Sequence, residues 1–233
     1  MTSIESVIFD LDGVLVDSEI WWDEVRIAFA ADHGRTWTAA DQSAVMGANS
    51  AGWARIMSER LELDLAEPAI ERAIVDAVVE RYRNDGAPRI DGAIGAVRRI
   101  AADRPVAVAS SAHARVIAAA LEATGLTDIF EVVVSSDEVA HGKPAPDVYL
   151  EAARRLGLEP AMCLVVEDSF NGVRAARAAG MTVVLIPNRS VPPAPGTADL
   201  ADVVLRSLAE LDPSTLSYGS RTAPASAGSR RSG

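Results

Sequence analysis

Short apolar runs rich in β-branched residues recur along the chain. They are almost continuously apolar, which is typical of strands buried on both faces of a parallel sheet. The segments between them have the apolar spacing of helices, so the alternation predicts an α/β fold, a doubly wound parallel sheet with right-handed crossovers. The predicted strands are SVIF (6–9), RPVAVAS (104–110), EVVVS (131–135), CLVVED (163–168), TVVLI (182–186) and DVVL (202–205), and the predicted helices are 92–103, 114–125, 146–157 and 169–180.

Residues 17–86 interrupt this alternation. From Ile20 to Arg83 the pattern is that of amphipathic helices, with no convincing strand. It predicts an all-helical domain at 17–86, inserted directly after the first strand of a core formed by 1–16 and 87–212. Such an insertion lies over the carboxyl ends of the strands, where open α/β folds bind ligands. The small, polar segment 213–233 is predicted to be disordered.

Composition narrows the class of protein. With 233 residues, 49% of them hydrophobic, the chain can bury at least one full core. No apolar run approaches the roughly 20 residues of a membrane span, and no signal peptide is evident, so we expect a cytoplasmic protein without a membrane partner. The net charge of −11 argues against a nucleic-acid partner. Nothing in the sequence demands more than a monomer.

Polar side chains follow the predicted strands at the points where they end. Carboxyl ends of parallel strands meet at one crevice, so we expect these residues to lie together. Each of these motifs has an ordinary structural explanation when taken alone, but their combination points to a site. The residues are Asp10 and Asp12, Ser110 and Ser111, Lys143, and Glu167 and Asp168.

The chemistry open to such a set is phosphoryl transfer. One carboxylate can attack phosphorus, and a second can act as general acid toward the leaving group and as base toward water. A hydroxyl and an ammonium can hold the phosphoryl oxygens. The remaining acidic side chains need a hard cation, for which Mg²⁺ is the expected choice, and it would let Asp10 and Asp168 stay ionised side by side.

Four stretches closely resemble the motifs of the haloacid dehalogenase-like hydrolase superfamily. They are FDLDGVLVDSE (9–19), VAVASS (106–111), HGKPAPDVYLEAARRLG (141–157) and VVEDSFNGVRAARAAGM (165–181). The likeness is to the subgroup with a helical cap after the first strand, which includes β-phosphoglucomutase and phosphoglycolate phosphatase. The resemblance implies a Rossmann-like core and a mobile cap whose closure excludes water.

The resemblance also implies a role for each strand-end residue. Asp10 would be the nucleophile and Asp12 the acid/base. Ser110, Ser111 and Lys143 would bind the transferring phosphoryl group. Asp168 would bind Mg²⁺ together with Asp10 and the backbone carbonyl of Asp12, assisted by Glu167.

Residues of the predicted cap bear on the choice between phosphatase and mutase. Where the mutase has a histidine, this chain has Trp22, and the nearest basic residue to the mutase's loop arginine is Arg55. Where this chain has His113, the mutase has a lysine that binds the distal phosphate. These departures favour a phosphatase of a small phosphorylated metabolite, with a sugar phosphate as the favoured class and a sugar phosphomutase as the alternative. The candidate substrate residues are Glu19, Trp22, Asn49, Arg55 and His113.

An alternative outside the enzymes is a phosphorylation-dependent binding or signalling module. Receiver domains resemble the site in combining an acidic pair, a phosphorylatable Asp, a hydroxyl and a lysine on a doubly wound sheet. They are about half as long as this chain and lack an inserted helical domain. Stable phosphorylation of Asp10 without release of phosphate would favour this alternative.

Overall fold

A six-stranded parallel sheet forms the centre of the protein, in a computed structural model that describes residues 3–46 and 48–216. The strand order is β3-β2-β1-β4-β5-β6. The order runs outward in both directions from β1, so the predicted doubly wound α/β fold is confirmed. The strands are β1 (Ser6–Phe9), β2 (Val106–Ser110), β3 (Val132–Ser135), β4 (Cys163–Glu167), β5 (Thr182–Leu185) and β6 (Val203–Val204).

Helices cover both faces of this sheet because the strands are apolar on both sides. Consecutive residues of β1 belong to two different apolar clusters: Val7 and Phe9 pack on one face, and Ile8 packs on the other. The period of two along the strand therefore supplies two cores. The helices after the helical insertion are α5 (Ala93–Ala101), α6 (Ala114–Thr124), α7 (Asp147–Leu156), α8 (Phe170–Ala178) and α9 (Thr197–Leu200).

We call residues 17–86, which follow β1, the helical insertion. In the part of the chain that the structure describes, this insertion contains four helices. They are α1 (Glu19–Asp32), α2 (Ala39–Val45), α3 (Ser50–Leu61) and α4 (Glu67–Asp85). Periodicity did not predict α2, which is only 7 residues long and begins at a capping box between Thr38 and Asp41. No helix in the described part of the chain is both long and apolar enough to cross a membrane. The exact division between core and insertion stays a prediction.

Polar contacts hold the helical insertion over the carboxyl ends of the strands. Asp137, which follows β3, accepts hydrogen bonds from Ser50 at the start of α3, from its backbone N over 2.9 Å and from its Oγ over 2.7 Å. Arg115 of α6 and Asp76 of α4 form an exposed ion pair of 2.6 Å. These contacts join α3 and α4 of the insertion to the core.

The predicted disordered tail, 213–233, reaches into the described residues as far as residue 216. Pro213–Thr215 form a short 3₁₀ turn in which Pro213 is buried and Asp212 accepts a hydrogen bond from the backbone N of Ser214. The extent of a disordered tail stays a prediction. The rest of that prediction, residues 217–233, lies outside the described residues.

Candidate active site

The carboxyl ends of the central strands open into a cavity of about 490 Å³. Parallel strands bring their ends to one edge of the sheet, so segments far apart in sequence meet there. Glu167 lies beneath the cavity and does not line it. The other six strand-end residues singled out from the sequence all line it: Asp10, Asp12, Ser110, Ser111, Lys143 and Asp168.

Lys143 is the cation at the floor of this cavity. Its Nζ donates to Oδ1 of Asp10 over 2.6 Å, to Oε1 of Glu167 over 2.7 Å and to the carbonyl oxygen of Ala109 over 3.1 Å. Burial alone lowers the pKa of Lys143, but the two carboxylates outweigh it and the net pKa is raised. The side chain therefore stays charged, with all three protons directed at fixed partners.

Glu167 holds Lys143 in place. Its Oε1 also accepts a hydrogen bond from the Tyr149 hydroxyl over 2.7 Å, and its Oε2 accepts from the backbone N of Asp168 and of Ser169, each over 3.0 Å. Burial acts to raise the pKa of Glu167, but the Lys143 charge and these hydrogen bonds leave it below its usual value. Both oxygens are occupied, so Glu167 positions the lysine.

Two features around Glu167 escaped the sequence analysis. Tyr149 lies in α7 and is fully buried. A tyrosine in an apolar helix face is a signal of a buried hydroxyl partner, because such hydroxyls are rarely left unpaired. Gly172, in the first turn of α8, leaves room for the carboxylate: a Cβ there would lie 1.7 Å from Oε1 of Glu167.

Asp10 and Asp168 form the acidic part of the cavity. Burial, with repulsion from Glu167, raises the pKa of Asp10 to about 8 although Lys143 opposes the shift. Burial and repulsion from Glu167 and Asp10 raise the pKa of Asp168 well above its usual value. Among the described residues no donor contacts the Asp168 carboxylate. A cation bound beside them would favour the ionised form of both carboxylates.

The residues present fit a divalent metal ion. One carboxylate oxygen each from Asp10, Glu167 and Asp168 lies within 4.8 Å of the others. Gly13 leaves the space for Asp168: its φ is +84°, and a Cβ there would lie 2.0 Å from Oδ2 of Asp168. An all-oxygen set of carboxylates is the chemistry that Mg²⁺ prefers.

Asp12 lies beside this cluster and faces the helical insertion. Its Oδ1 accepts hydrogen bonds from the Ser18 hydroxyl and, over 3.3 Å, from Nε1 of Trp22. Burial raises the pKa of Asp12, and these two hydrogen bonds oppose the rise without cancelling it. A carboxyl group in this environment is suited to hold a proton and to give it up.

The hydroxyls after β2 face the cavity from the side opposite Asp168. Ser110 is buried, and its Oγ accepts a hydrogen bond from the backbone N of Ala112 over 3.0 Å. Its own proton remains available to donate to a ligand. Ser111 lines both this cavity and a smaller one next to it.

The roof and far wall come from the helical insertion and from a loop after β5. Glu19 and Met46 reach the cavity from the insertion, and burial, with repulsion from Asp12, raises the pKa of Glu19 to about 7. The loop 191–194 supplies an apolar wall that the sequence analysis did not single out. The sequence Val-Pro-Pro-Ala marks it only as an irregular loop.

The structure does not bring three of the predicted substrate residues into either cavity. Asn49 instead caps α3, where its side chain accepts a hydrogen bond from the backbone N of Gly52 over 3.0 Å. Arg55 points to solvent from the exposed side of α3. His113 caps α6, and its Nε2 lies 3.7 Å from Oε1 of Glu71. Alignment with the family's motifs located these positions but not the faces on which they lie.

Arg26 is another site residue that the sequence analysis missed. It lines the smaller cavity, of about 70 Å³, which adjoins the main one. Its guanidinium carbon lies 5.2 Å from the ring centroid of Trp22 and 5.5 Å from that of Trp53. An arginine four residues after a tryptophan on a helix was the available signal, because such residues share one face.

Comparisons with known proteins agree with this geometry. A family model for the haloacid dehalogenase-like hydrolases matches residues 4–180. The chain is 34% identical over 181 residues to Fructose-1-phosphate phosphatase YqaB of Escherichia coli (strain K12), covering 76% of this chain and 94% of that one. The structure of CbbY from Rhodobacter sphaeroides in complex with phosphate superposes with a TM-score of 0.77 at 27% identity, over 91% of this chain and 100% of that chain.

Another relative is a longer protein. The chain is 32% identical over 210 residues to the Bifunctional riboflavin kinase/FMN phosphatase of Arabidopsis thaliana, a match covering 88% of this chain. The same match covers 54% of that relative, so the chain spans about half its length.

Proposed function

Since this chain belongs to the haloacid dehalogenase-like hydrolase family, we propose that it is a Mg²⁺-dependent phosphatase of a small phosphorylated metabolite, with a sugar phosphate as the favoured class. The proposal depends most on one observation: Nζ of Lys143 lies 2.6 Å from Oδ1 of Asp10, at the floor of a cavity that Asp12 also lines. A nucleophile, a cation for the phosphoryl oxygens and an acid/base then face one ligand.

The first half of the reaction forms a phosphoryl-enzyme. A carboxylate oxygen of Asp10 attacks phosphorus, forming an O–P bond, while the bond from phosphorus to the leaving oxygen breaks. Asp12 gives its proton to that oxygen, so the alcohol leaves neutral. The Ser110 hydroxyl donates to a phosphoryl oxygen, and the positive charge of Lys143 stabilises the negative charge that grows on these oxygens.

The second half releases phosphate. Asp12, now a carboxylate, takes a proton from a water molecule whose oxygen attacks phosphorus. The bond from phosphorus to Asp10 breaks, inorganic phosphate leaves, and both carboxyl groups return to their initial protonation states. Burial of Asp12 beneath Trp22 suits this exchange, because a raised pKa favours the protonated form at the start of each cycle.

Asp10, Asp168 and the backbone carbonyl of Asp12 are the groups that would hold Mg²⁺. The ion would supply positive charge that keeps Asp10 ionised and offsets the charge of the phosphoryl group. Glu167 has both oxygens in hydrogen bonds, so we assign it to the positioning of Lys143. This assignment differs from one in which Asp10, Asp12, Glu167 and Asp168 all bind the ion directly.

The test is phosphate release with Mg²⁺ across sugar phosphates, phosphoglycolate and nucleotides, beside a coupled assay that converts β-glucose 1-phosphate to glucose 6-phosphate. We expect free phosphate from at least one monoester and no isomerisation. Isomerisation with little free phosphate would replace the proposal with a mutase. Stable phosphorylation of Asp10 without phosphate release would replace it with a binding or signalling module.

A further inference from the structure

Arg26 is a buried cation in the helical insertion. It projects from α1, is 5% exposed, and lies against the rings of Trp22 and Trp53. Contact with two aromatic faces favours a cation but does not replace the water and counter-ions that burial removes. A buried guanidinium therefore calls for a further partner.

The described residues supply only some of the interactions that the guanidinium of Arg26 needs. Nη1 of Arg26 donates to Oε1 of Gln42 over 3.2 Å, while Nε is buried without any acceptor in the described part of the chain. No carboxylate among those residues lies within ion-pair distance of Arg26. Glu19, Asp23 and Asp12 attract it from further away, and its pKa, although lowered by burial to about 10, keeps it charged at neutral pH.

The cavity beside Arg26 adjoins the proposed active site and shares a wall with it. It holds about 70 Å³, enough for a small charged group, and it shares Asp12, Glu19, Met46 and Ser111 with the main cavity. A ligand whose phosphate lies against Lys143 would pass Asp12 and extend toward Arg26.

We infer that Arg26 determines substrate specificity by binding a second oxyanion, a carboxylate or a phosphate, at the end of the substrate remote from the phosphate that is removed. This inference rests on the proposed function and names its substrate class. Nη1 is directed at Gln42 and Nε has no partner among the described residues, and a guanidinium group matches the two oxygens of a carboxylate or phosphate. A neutral hydroxyl would leave the charge of Arg26 uncompensated.

The experiment compares substrates that differ in one remote group. The six-carbon pair is fructose 1,6-bisphosphate and fructose 1-phosphate, and the three-carbon pair is 3-phosphoglycerate and glycerol 3-phosphate. We expect kcat/KM to favour the member with the second oxyanion by about tenfold or more in at least one pair. The pair that shows the preference identifies the oxyanion as phosphate or carboxylate.

Variants then assign the preference to Arg26. Arg26→Met should lower kcat/KM for the favoured substrate by roughly 10- to 100-fold and change that for its neutral counterpart by less than about threefold. Arg26→Lys should restore part of the difference, because it keeps the charge without the fork. Arg72→Met is the matched control: Arg72 is exposed on α4 and lines neither cavity, so the ratio should not change.

Three outcomes distinguish a failure of the inference about Arg26 from a failure of the proposed function. If Arg26→Met lowers kcat/KM equally for both substrates of a pair, Arg26 has a structural role and the inference is overturned. Phosphate release by the wild-type protein with no preference in either pair would overturn it as well, even if the Arg26 variants fail to fold. No phosphate release from any monoester would instead overturn the proposed function.

Discussion

The indole N–H of Trp22 donates a hydrogen bond to Oδ1 of Asp12 over 3.3 Å. Helix α1 of the helical insertion thereby contacts the proposed acid/base residue directly. A donor to a carboxylate favours its ionised form, so loss of this hydrogen bond alone, with burial unchanged, would raise the pKa of Asp12 further. Protonation of Asp12, which supplies the proton for the leaving group, therefore depends on this contact with the helical insertion.

Trp22→Phe should shift the pH dependence of activity. The variant keeps an aromatic ring against Trp53 and removes the donor, so the pKa of Asp12 rises and the alkaline limb of kcat/KM moves up by roughly half a pH unit. Trp21→Phe is the matched control, since Trp21 packs against Tyr82. An unshifted limb in Trp22→Phe would mean that this hydrogen bond does not set the acidity.

Asp10→Asn and Asp12→Ala should each abolish turnover while leaving the fold intact. Loss of the nucleophile removes the phosphoryl-enzyme route, and loss of an acid/base group costs about 10²- to 10⁴-fold. With p-nitrophenyl phosphate, whose leaving group needs no proton, Asp12→Ala should still give one burst of nitrophenolate before it stalls. Normal steady-state rates in either variant would contradict the mechanism.

Gly172→Ala should destabilise the protein by at least about 2 kcal/mol. The new Cβ would lie 1.7 Å from Oε1 of Glu167, so either α8 or the carboxylate that holds Lys143 must move. Gly95→Ala is the control, because Gly95 is also helical and its Cβ would meet no atom within 4 Å. It should stabilise by about 0.5–1 kcal/mol. Urea unfolding of both variants measures the contrast.

The metal-free protein should lose stability as the pH rises from 5 to 8. Asp10, with a folded pKa of about 8, and Asp168 keep protons that the unfolded chain has released near pH 4, so the folded state binds more protons in this window. Stability is therefore largest at the acid end and falls by at least about 1 kcal/mol. Thermal unfolding in a chelator at several pH values measures it.

Asp168→Asn provides the control for that slope. The amide cannot ionise, so the decline between pH 5 and 8 should be smaller than in the wild-type protein. Added Mg²⁺ should stabilise the wild-type protein more at pH 8 than at pH 5, because it competes with the protons on these carboxylates. An equal slope in the variant would remove Asp168 from the explanation.

Chelation should also abolish phosphate release. Burial and mutual repulsion raise the pKa of both Asp10 and Asp168, so removal of a cation bound between them would disfavour the ionised nucleophile. Activity should fall to background in EDTA and return with excess Mg²⁺. Undiminished release in EDTA would exclude the metal from the reaction.

The local pattern of apolar residues along the sequence predicted most of the fold. The run CLVVED predicted a strand at 163–168 and β4 spans Cys163–Glu167, because continuous apolarity on both faces leaves a short segment little choice but the centre of a sheet. The same logic placed Asp10, Ser110 and Asp168 at strand ends. Once the strands are parallel, those residues meet without any further information.

Tertiary structure decided what each side chain contacts. The hydroxyl of Tyr149 reaches Glu167, and the ring of Trp22 reaches Asp12, only because of how α7 and α1 are rotated against the sheet. Arg26 faces the cavity while Arg55 faces solvent, although both lie on amphipathic helices of one insertion. Periodicity specifies which face of a helix is apolar, but the packing of distant segments determines which neighbour that face meets.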